Sequence, residues 1–303
     1  MASILAELAP GSRVTILRLR SLGDCVLTTP AISILKKARP DLRLRVVVEP
    51  RFAAVFAGNP DLDQIVPPTL MAASGSNLCL NLHGGSRSLW MTAASLAKVR
   101  AGFAHHAGAW LYNAPIPRAQ QILGEERIVH TAEHLASAMF YLGAPRVEIP
   151  RARLYANRWT EGPSRYAVVH PFASAAHKQW PAQRFVEAMR HLEQHWQLTP
   201  IVIGAPADDF APFTGFQCLA GSLEQTKQIL AGAKFFLGND SGPAHMAAAF
   251  GLPVTVLYGS SHPVVWAPWR TRCETFVSPA GLEEITVDQV VGSFGRLLER
   301  VSA

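Results

Sequence analysis

The sequence predicts an α/β protein of two Rossmann-like domains whose parallel sheets face each other across a cleft. Short β-branched apolar runs alternate with helical stretches over most of the 303 residues, which is typical of βαβ units. Both halves of the chain open with a strand, a polar loop and a helix. Residues 143–162, rich in proline, arginine and polar residues, lie between the halves. We therefore predict domains at 1–155 and 156–303, each of ordinary size.

Strands and helices alternate through the first half. In the first predicted helix, Leu27, Ala31 and Ile34 recur at helical spacing, and basic residues occupy the last turn, where they complement the helix dipole. The predicted strands are Val14–Leu19, Leu42–Glu49, Gln64–Val66 and Leu78–Leu82, and the predicted helices are Val26–Ala38, Phe52–Ala57, Ser88–Leu96 and His130–Leu142.

The same alternation restarts in the second half. Its best-defined unit is a buried strand, a polar turn and a short helix that Pro243 opens and Gly251 ends, followed by a second strand. The predicted strands are Tyr166–His170, Pro200–Ile203, Phe235–Leu237 and Pro253–Tyr258, and the predicted helices are Gln183–His195, Gln225–Ala233, Ala244–Phe250 and Val287–Val301.

Composition indicates a globular protein, because 49% of the residues are hydrophobic and 17% are charged. No run approaches the ~18 apolar residues of a membrane span. The N-terminal residues lack the basic start and apolar stretch of a signal peptide. The four cysteines are scattered without a C-x-x-C pair, which argues against a structural zinc site and for a reducing compartment. We expect a cytoplasmic protein.

Positive charge is concentrated in the first half. Residues 1–155 hold 17 Lys and Arg against 10 Asp and Glu, a net +7, whereas residues 156–303 hold 11 against 12, a net −1. A basic half can meet nucleic acid, an acidic membrane surface or a phosphorylated substrate, and it can equally be a solvated face. The aromatic-basic interleaving of RNA-binding modules is missing, so no nucleic-acid partner is expected.

The common nucleotide and hydrolase motifs are missing. No G-x-G-x-x-G follows a strand, and neither a G-x-x-x-x-G-K-[ST] loop nor a G-x-S-x-G elbow is present. These absences argue against an ordinary dinucleotide site, a P-loop hydrolase and an α/β-hydrolase. What remains is a set of polar loops at the carboxyl ends of predicted strands, where open α/β sheets bind ligands.

Two of these loops precede long helices. The first holds Ser21 and Asp24 at a helix start, and because Ser-x-x-Asp is also a capping box, a purely local role for Asp24 stays open. The second runs over residues 170–181 and holds Lys178 between a strand and a helix. A lysine there can act as a point charge on phosphate, with an ordinary surface lysine as the alternative.

The third loop, Asn239-Asp240-Ser241-Gly242-Pro243, precedes the helix at 244–250. It presents backbone N–H groups at a helix N-terminus, which favours anions and phosphate above all, and His245 in the first turn could add a donor. An Asp or Ser before a helix is usually only a cap. A cap needs one such group, whereas this turn gathers an acid, a hydroxyl, a glycine and an imidazole, so we favour a phosphate site.

Taken together, four segments resemble glycosyltransferase family 9, the ADP-heptose:lipopolysaccharide heptosyltransferases. They are RLRSLGDCVLTTPAISILKKARP, LNLHGGSRS, HPFASAAHKQWPAQRF and GNDSGPAHMAAAFGLPVTVLYG, in this order between about residues 13 and 270. The resemblance implies a GT-B fold with the acceptor in the first domain and the nucleotide-sugar in the second. In that fold the final helix often crosses back onto the first domain, which is the suggested role of residues 287–301.

The resemblance also implies roles for individual residues. Asp24 would be the general base, and Lys178 would bind the donor pyrophosphate with Ser174 beside it. Asp208 would hold the ribose hydroxyls, and the backbone at 221–223, including Ser222, would line the adenine. The contacts to the diphosphate and the sugar would come from Asp240, Ser241, Gly242 and His245.

The resemblance thus implies an inverting transfer of heptose from ADP-heptose to an acidic lipopolysaccharide inner-core glycolipid. None of the three polar loops holds a D-x-D acid cluster, so no metal or other cofactor is expected, and the leaving diphosphate would be stabilised by lysine and a helix N-terminus. Such an acceptor implies a cytoplasmic enzyme peripheral on the inner face of the cytoplasmic membrane. The alternative is a GT-B-like sugar-nucleotide epimerase or hydrolase, which needs no acceptor.

Overall fold

The computed structural model describes residues 3–173, 175–259 and 261–298. The chain divides into two compact units, Met1–Arg153 and Leu154–Ala303, close to the predicted boundary after residue 155.

The first unit is built on one parallel sheet. Its strands are β1 (Arg13–Leu17), β2 (Arg43–Val47), β3 (Gln64–Val66), β4 (Leu78–Asn81), β5 (Val99–Phe103) and β6 (Ala114–Ile116). Its helices are α1 (Leu22–Ala38), α2 (Ala53–Phe56), α3 (Ser86–Ala94), α4 (Ala119–Leu123) and α5 (Thr131–Leu142), with 3₁₀ turns at Pro50–Phe52 and Ala109–Leu111. The strand order is β3-β2-β1-β4-β5-β6.

The second unit repeats this plan. Its strands are β7 (Tyr166–His170), β8 (Thr199–Gly204), β9 (Gln217–Ala220), β10 (Phe235–Asn239), β11 (Val254–Tyr258) and β12 (Cys273–Val277). Its helices are α6 (Ala182–Trp196), α7 (Leu223–Gly232), α8 (Gly242–Ala249), α9 (Pro263–Trp266) and α10 (Val287–Leu298), with 3₁₀ turns at Ala176–Lys178, Ala211–Phe213 and Leu282–Glu284. The order is β12-β11-β10-β7-β8-β9, again all parallel.

Each sheet reverses its winding direction once. In the first unit the reversal lies between β1 and β4, and in the second it lies between β7 and β10. Both orders are those of a Rossmann-type doubly wound sheet, in which ligands bind beyond the carboxyl ends of the strands at the point of reversal. The predicted α/β class with two Rossmann-like parallel sheets is confirmed.

The closing helix α10 completes the core of the second unit. Val290, Phe294 and Leu297 are buried together with residues of β10, β11 and α6, and the ring of Phe294 packs edge-on against Phe235 with 5.1 Å between centroids. The buried face of α10 therefore packs within its own unit, and the suggested packing of this segment on the first half stays a prediction. The predicted extension of this helix to Val301 lies outside the described residues.

Four strands, β5, β6, β9 and β12, are not predicted from the sequence. Three of these strands, β6, β9 and β12, form sheet edges, where short and partly exposed strands lack a continuous apolar run. The interior strand β5 contains Arg100 and Gly102, and the ring of Tyr112 fills the space that a side chain at Gly102 would occupy. Among the helices of the described residues, none has the length and apolar character needed to span a membrane.

Candidate functional site

Tight backbone packing brings β7 and β10 together at the reversal point of the second sheet. Gly238 of β10 lies opposite His170 of β7. A Cβ atom at residue 238 would come within 2.8 Å of the His170 carbonyl oxygen, so a larger residue would push the strands apart. The loops that follow these two strands therefore start side by side.

Asn239 fastens the loop after β7. Its side chain is fully buried (0% exposed). The Nδ2 group donates to the Pro171 carbonyl at 2.6 Å, and Oδ1 accepts the Trp180 N–H at 3.0 Å. One amide thus holds both ends of residues 171–180, a role that no local pattern in the sequence predicts.

Trp180 anchors the same loop in the core. It is 1% exposed, its indole N–H donates to the Ile285 carbonyl at 2.8 Å, and its ring packs edge-on against Phe185 with 5.0 Å between centroids. Lys178 lies two residues before this anchor, in the 3₁₀ turn, and is half-buried. The predicted site residue Ser174 lies outside the described residues.

Replacing Asn239 with alanine should loosen this loop. The change leaves the buried Trp180 N–H and Pro171 carbonyl without partners, so we expect a loss of about 2–3 kcal/mol in the free energy of unfolding and at least ~10-fold weaker ADP binding by calorimetry. The control is Asn81→Ala, which removes the equally buried asparagine at the end of β4. Similar losses of ADP affinity in both variants would contradict a specific role for Asn239.

Asp240 and Lys178 lie in the loops that follow β10 and β7, the two strands at the reversal point. The Asp240 backbone N–H donates to the Leu257 carbonyl at 2.9 Å, which fixes the residue between β10 and β11. Burial raises the pKa of the Asp240 carboxyl, while a hydrogen bond from Ser261 and the charge of Lys178 oppose that rise. The pair combines a hydrogen-bond acceptor with a positive charge at the reversal point.

Ser241, Gly242 and His245 lie at the start of α8, for which Ser241 is the N-cap residue. The Ser241 hydroxyl does not cap the helix, since it forms a 3.1 Å hydrogen bond with Nδ1 of His170. Burial lowers the pKa of His170 to about 4, so this imidazole is neutral at pH 7. Gly242 is the first residue of the helix, where backbone N–H groups have no partner within the helix, and His245 is buried in the first turn.

Asp208 and Ser222 stabilise local turns. Asp208, in the loop after β8, accepts the Ala205 N–H on Oδ2 at 2.7 Å. Ser222 caps α7, where its hydroxyl accepts the Gln225 N–H at 3.3 Å and the Gln225 side chain accepts the Ser222 N–H at 2.9 Å. Their contacts with a ligand stay predictions.

Asp24 lies at the first unit's reversal point, in the first turn of α1. Its Oδ2 accepts the Ser21 N–H at 3.4 Å and the Ser21 hydroxyl at 3.0 Å. Its Oδ1 lies 3.3 Å from Nη1 of Arg18, and the Asp24 side chain is 23% exposed. The carboxylate therefore supports the helix start, as the capping alternative predicts, and also remains accessible to a ligand.

Arg18 joins the two loops of this reversal point. It is 5% exposed, and its Nη2 donates to the Leu82 carbonyl just after β4. Burial lowers the pKa of the guanidinium, and the charge of Asp24 opposes this shift. Arg18 belongs to the net charge counted above, but it is an internal partner of Asp24 and does not form part of the solvated basic surface.

The loop after β4 is shaped by Asn81 and Gly84. The Asn81 side-chain oxygen accepts the N–H groups of His83 and Gly84 at 3.1 and 3.0 Å. Gly84 adopts φ +76°, and the ring of His106 fills the place of a Cβ there. Only glycine satisfies both demands, so His106 covers the loop that lies beside Arg18 and Asp24.

Histidines cluster around this loop. The His105 and His106 rings lie 4.3 Å apart between centroids, and His134 stacks on Phe103 at 3.9 Å. Burial, with neighbouring positive groups adding to it, lowers the pKa of His106 and of His134 to about 4. Burial and the charges of Arg18 and Arg20 also lower the pKa of His83. These rings are neutral at pH 7.

Stability should therefore fall on acidification. His106, His134 and His170 have folded-state pKa values of about 4, against ~6.5 in an unfolded chain. Between these values the unfolded state binds more protons, so the free energy of unfolding decreases as pH drops from ~6.5 to ~4. Allowing for partial exposure of the rings, we expect a loss of at least ~2 kcal/mol, measured by urea unfolding.

His134→Gln should reduce this pH dependence, because glutamine cannot take up the proton. His262→Gln, at an exposed ring, is the control and should leave the dependence unchanged. An identical pH dependence in His134→Gln and the parent protein would contradict a contribution from the histidine cluster.

Comparison with known proteins identifies the family. The model of glycosyltransferase family 9 (heptosyltransferase) matches residues 73–288. The chain belongs to this family. The resemblance drawn from the sequence is thereby confirmed, as is the prediction that the protein is a glycosyltransferase.

Individual relatives are distant in sequence. The lipopolysaccharide heptosyltransferase 3 of Escherichia coli is 25% identical over 300 residues, covering 85% of this chain and 86% of the relative. The solved structure of the E. coli ADP-heptose lipopolysaccharide heptosyltransferase II is 17% identical, with a TM-score of 0.80 over 96% of this chain and 100% of that one. The predicted GT-B class is confirmed by this likeness of fold.

No three His, Cys, Asp or Glu side chains within residues 3–173, 175–259 and 261–298 are grouped so that they could hold a metal ion. A more remote structural relative, the dodecameric glycosyltransferase TibC of enterotoxigenic E. coli, is described as iron-containing; it is 16% identical, with a TM-score of 0.66 over 97% of this chain and 78% of that one. Independence from metal therefore stays a prediction.

Proposed function

We propose that this enzyme transfers heptose from ADP-heptose to an anionic lipopolysaccharide inner-core glycolipid by a single inverting displacement. The proposal rests on the loop at 171–180, whose two ends are held by Asn239 and whose Lys178 is near enough to Asp240 for its charge to lower the pKa of that carboxyl. Family membership supplies the reaction type, and the site chemistry favours a diphosphate donor.

The second unit would bind the diphosphate and the sugar. A pyrophosphate needs cations and N–H donors, which Lys178 and the start of α8 can provide. Charge on the leaving diphosphate grows in the transition state, so both groups would bind it more strongly there than in the ground state. Asp240, a hydrogen-bond acceptor beside this positive charge, suits contacts with sugar hydroxyls.

The nucleoside would bind along β9 and α7. A cavity of about 490 Å³ lies there, lined by Trp159, Gln225 and residues 217–221 among others. Its aromatic and amide groups suit a purine ring, and it includes Gly221, where the family resemblance implies a contact with the adenine. Asp208 would accept from the ribose hydroxyls through Oδ1, since Oδ2 already accepts the Ala205 N–H.

The first unit would bind the acceptor and supply the base. An acceptor hydroxyl attacks the anomeric carbon of the donor, its proton passes to the Asp24 carboxylate, and the bond to the diphosphate breaks to release ADP. Arg18 holds this carboxylate from the protein side, which leaves the exposed side for the hydroxyl. A positioned base of this kind typically contributes ~10²–10⁴-fold to the rate.

The acceptor also implies a location. We infer that the enzyme works in the cytoplasm, peripherally on the inner face of the cytoplasmic membrane, where a glycolipid acceptor would be presented. The net charge of +7 over residues 1–155 suits an acidic glycolipid and an anionic bilayer surface.

A donor assay with and without acceptor tests the proposal. The protein is incubated with ADP-heptose alone and with a water-soluble, delipidated acidic core acceptor, while ADP release and product mass are followed. We expect ADP release to depend on acceptor and to match formation of an acceptor with one added heptose. ADP and free heptose at equal rates without acceptor would point to the hydrolase alternative, and a changed sugar still bound to ADP would point to the epimerase.

A further inference from the structure

Large exposed apolar side chains gather around α3 in the first unit. Trp90 on α3 is 60% exposed, Leu96 just after the helix is 84% exposed, and Trp110 is 80% exposed. Leu70 and Met71, in the segment before β4, are also more than half exposed. Tryptophan is seldom left so open to water without a partner. We call these five residues the α3 surface.

Packing contacts bring the members of the α3 surface together. Leu89 of α3 fills the space that a side chain at Gly108 would occupy, so the turn bearing Trp110 lies against one side of the helix. On the other side, Arg87 donates to the Pro68 carbonyl at 2.5 Å. The buried Met91 shares a cluster with Ala73, which places the segment bearing Leu70 and Met71 there. Trp90 lies between these two flanks.

The stretch of sequence that bears the α3 surface has no carboxylate side chain. From residue 64 to residue 124 there is no Asp or Glu, whereas Arg87, Lys98, Arg100 and Arg118 give this stretch a net charge of +4. Lys98 is exposed two residues after Leu96. A protein–protein interface usually mixes both signs at its rim, whereas exposed tryptophan with positive charge alone suits the boundary of an anionic bilayer.

We propose that the α3 surface docks the enzyme on an anionic lipid bilayer, with the indole rings at headgroup level and the basic side chains on lipid phosphates. This assignment rests on the proposed function, because a glycolipid acceptor is embedded in such a bilayer. The helix α3 begins at Ser86, directly after the loop that packs beside Arg18 and Asp24. Docking through α3 therefore brings the first unit's reversal point close to the lipid headgroups.

Sedimentation with lipid vesicles tests this surface. The full-length protein is mixed with phosphatidylcholine vesicles that contain or lack about a third of phosphatidylglycerol, an anionic lipid. We expect binding to the anionic vesicles alone, and at least ~10-fold weaker partition for the Trp90→Ala/Trp110→Ala double variant because of the apolar area lost. The control is Val264→Ala/Val277→Ala, which trims exposed apolar residues of the second unit and should bind like the parent.

The contribution of positive charge to vesicle binding is tested with one lysine variant and one matched control. Lys98→Gln should weaken partition about threefold to fivefold at low salt, whereas Lys234→Gln, at an exposed lysine of the second unit, should not. Equal vesicle binding by the parent and the tryptophan double variant would overturn the assignment. So would a parent dimer in light scattering that the double variant loses, because the α3 surface would then bind a second copy of the chain.

Failure of this assignment can be told apart from failure of the proposed function. The tryptophan double variant should keep the parent's rate on the delipidated soluble acceptor and lose rate only on acceptor presented in anionic vesicles. Loss of both rates equally would mean that the substitutions damage the first unit, and vesicle docking through the α3 surface would be rejected. Absence of any heptose transfer by the parent would reject the proposed function and leave the sedimentation result standing.

Discussion

Asp24→Asn should lower kcat at least ~100-fold. Asparagine keeps the size of the side chain, and its oxygen can still accept from Ser21, but it cannot take the proton of an attacking hydroxyl. The change also leaves Arg18, at 5% exposure, without its carboxylate. We therefore expect the free energy of unfolding to fall by about 1–3 kcal/mol, with ADP binding to the second unit unchanged.

Asp63→Asn is the matched control for this variant. Asp63 also lies in the first unit, 3.5 Å from Nζ of Lys36, and accepts the Leu44 N–H at 2.7 Å. It should lose a similar amount of stability and keep its rate, measured as ADP release under saturating donor and acceptor. If Asp24→Asn kept more than about a tenth of the parent's kcat, Asp24 would be a capping residue and a partner of Arg18, but not the base.

Lys178→Ala should lower kcat/KM for the donor by about 10²–10³-fold. The ammonium group would neutralise charge that grows on the leaving diphosphate, so kcat should fall as well as donor affinity. In the absence of ligand, removing this charge should raise the pKa of Asp240 further, because Lys178 now lowers it. Initial-rate kinetics measure the fall in kcat and in kcat/KM for the donor. Calorimetric titration with ADP measures the loss of binding affinity.

Lys234→Ala serves as the control for Lys178→Ala, since it removes an exposed lysine from the same unit. It should leave kcat, donor KM and ADP affinity close to those of the parent. Unchanged donor kinetics in Lys178→Ala would show that Lys178 does not bind the donor. The start of α8 would then be the remaining proposed diphosphate-binding group of the second unit.

The residues with a local signature could be predicted from the sequence. Three site segments can each be recognised from a few consecutive residues. They are Lys178 before Trp-Pro, the Asp240-Ser241-Gly242 turn and the Ser21-x-x-Asp24 helix start. The structure brings Lys178 and Asp240 together because both follow strands that adjoin at a sheet reversal. Alternation of strands and helices gave enough information for the fold class as well.

The supporting residues could not be predicted, because their partners are distant in the chain. Asn239 bonds to residues 59 and 68 positions away, and Trp180 bonds to a carbonyl 105 positions away. Arg18 looked like one more basic residue, although the structure pairs it with Asp24 and the Leu82 carbonyl. The place of Arg18 between Leu17 and Leu19, in the predicted strand Val14–Leu19, was the one available signal that its charge is internal.

The anomeric configuration of the product tests the proposed mechanism most directly. Wild-type protein is incubated with ADP-heptose and the delipidated acceptor, and the configuration at the new glycosidic carbon is determined by NMR. A single displacement assisted by Asp24 predicts a configuration opposite to that of the donor. A product with the donor's configuration would contradict the single displacement.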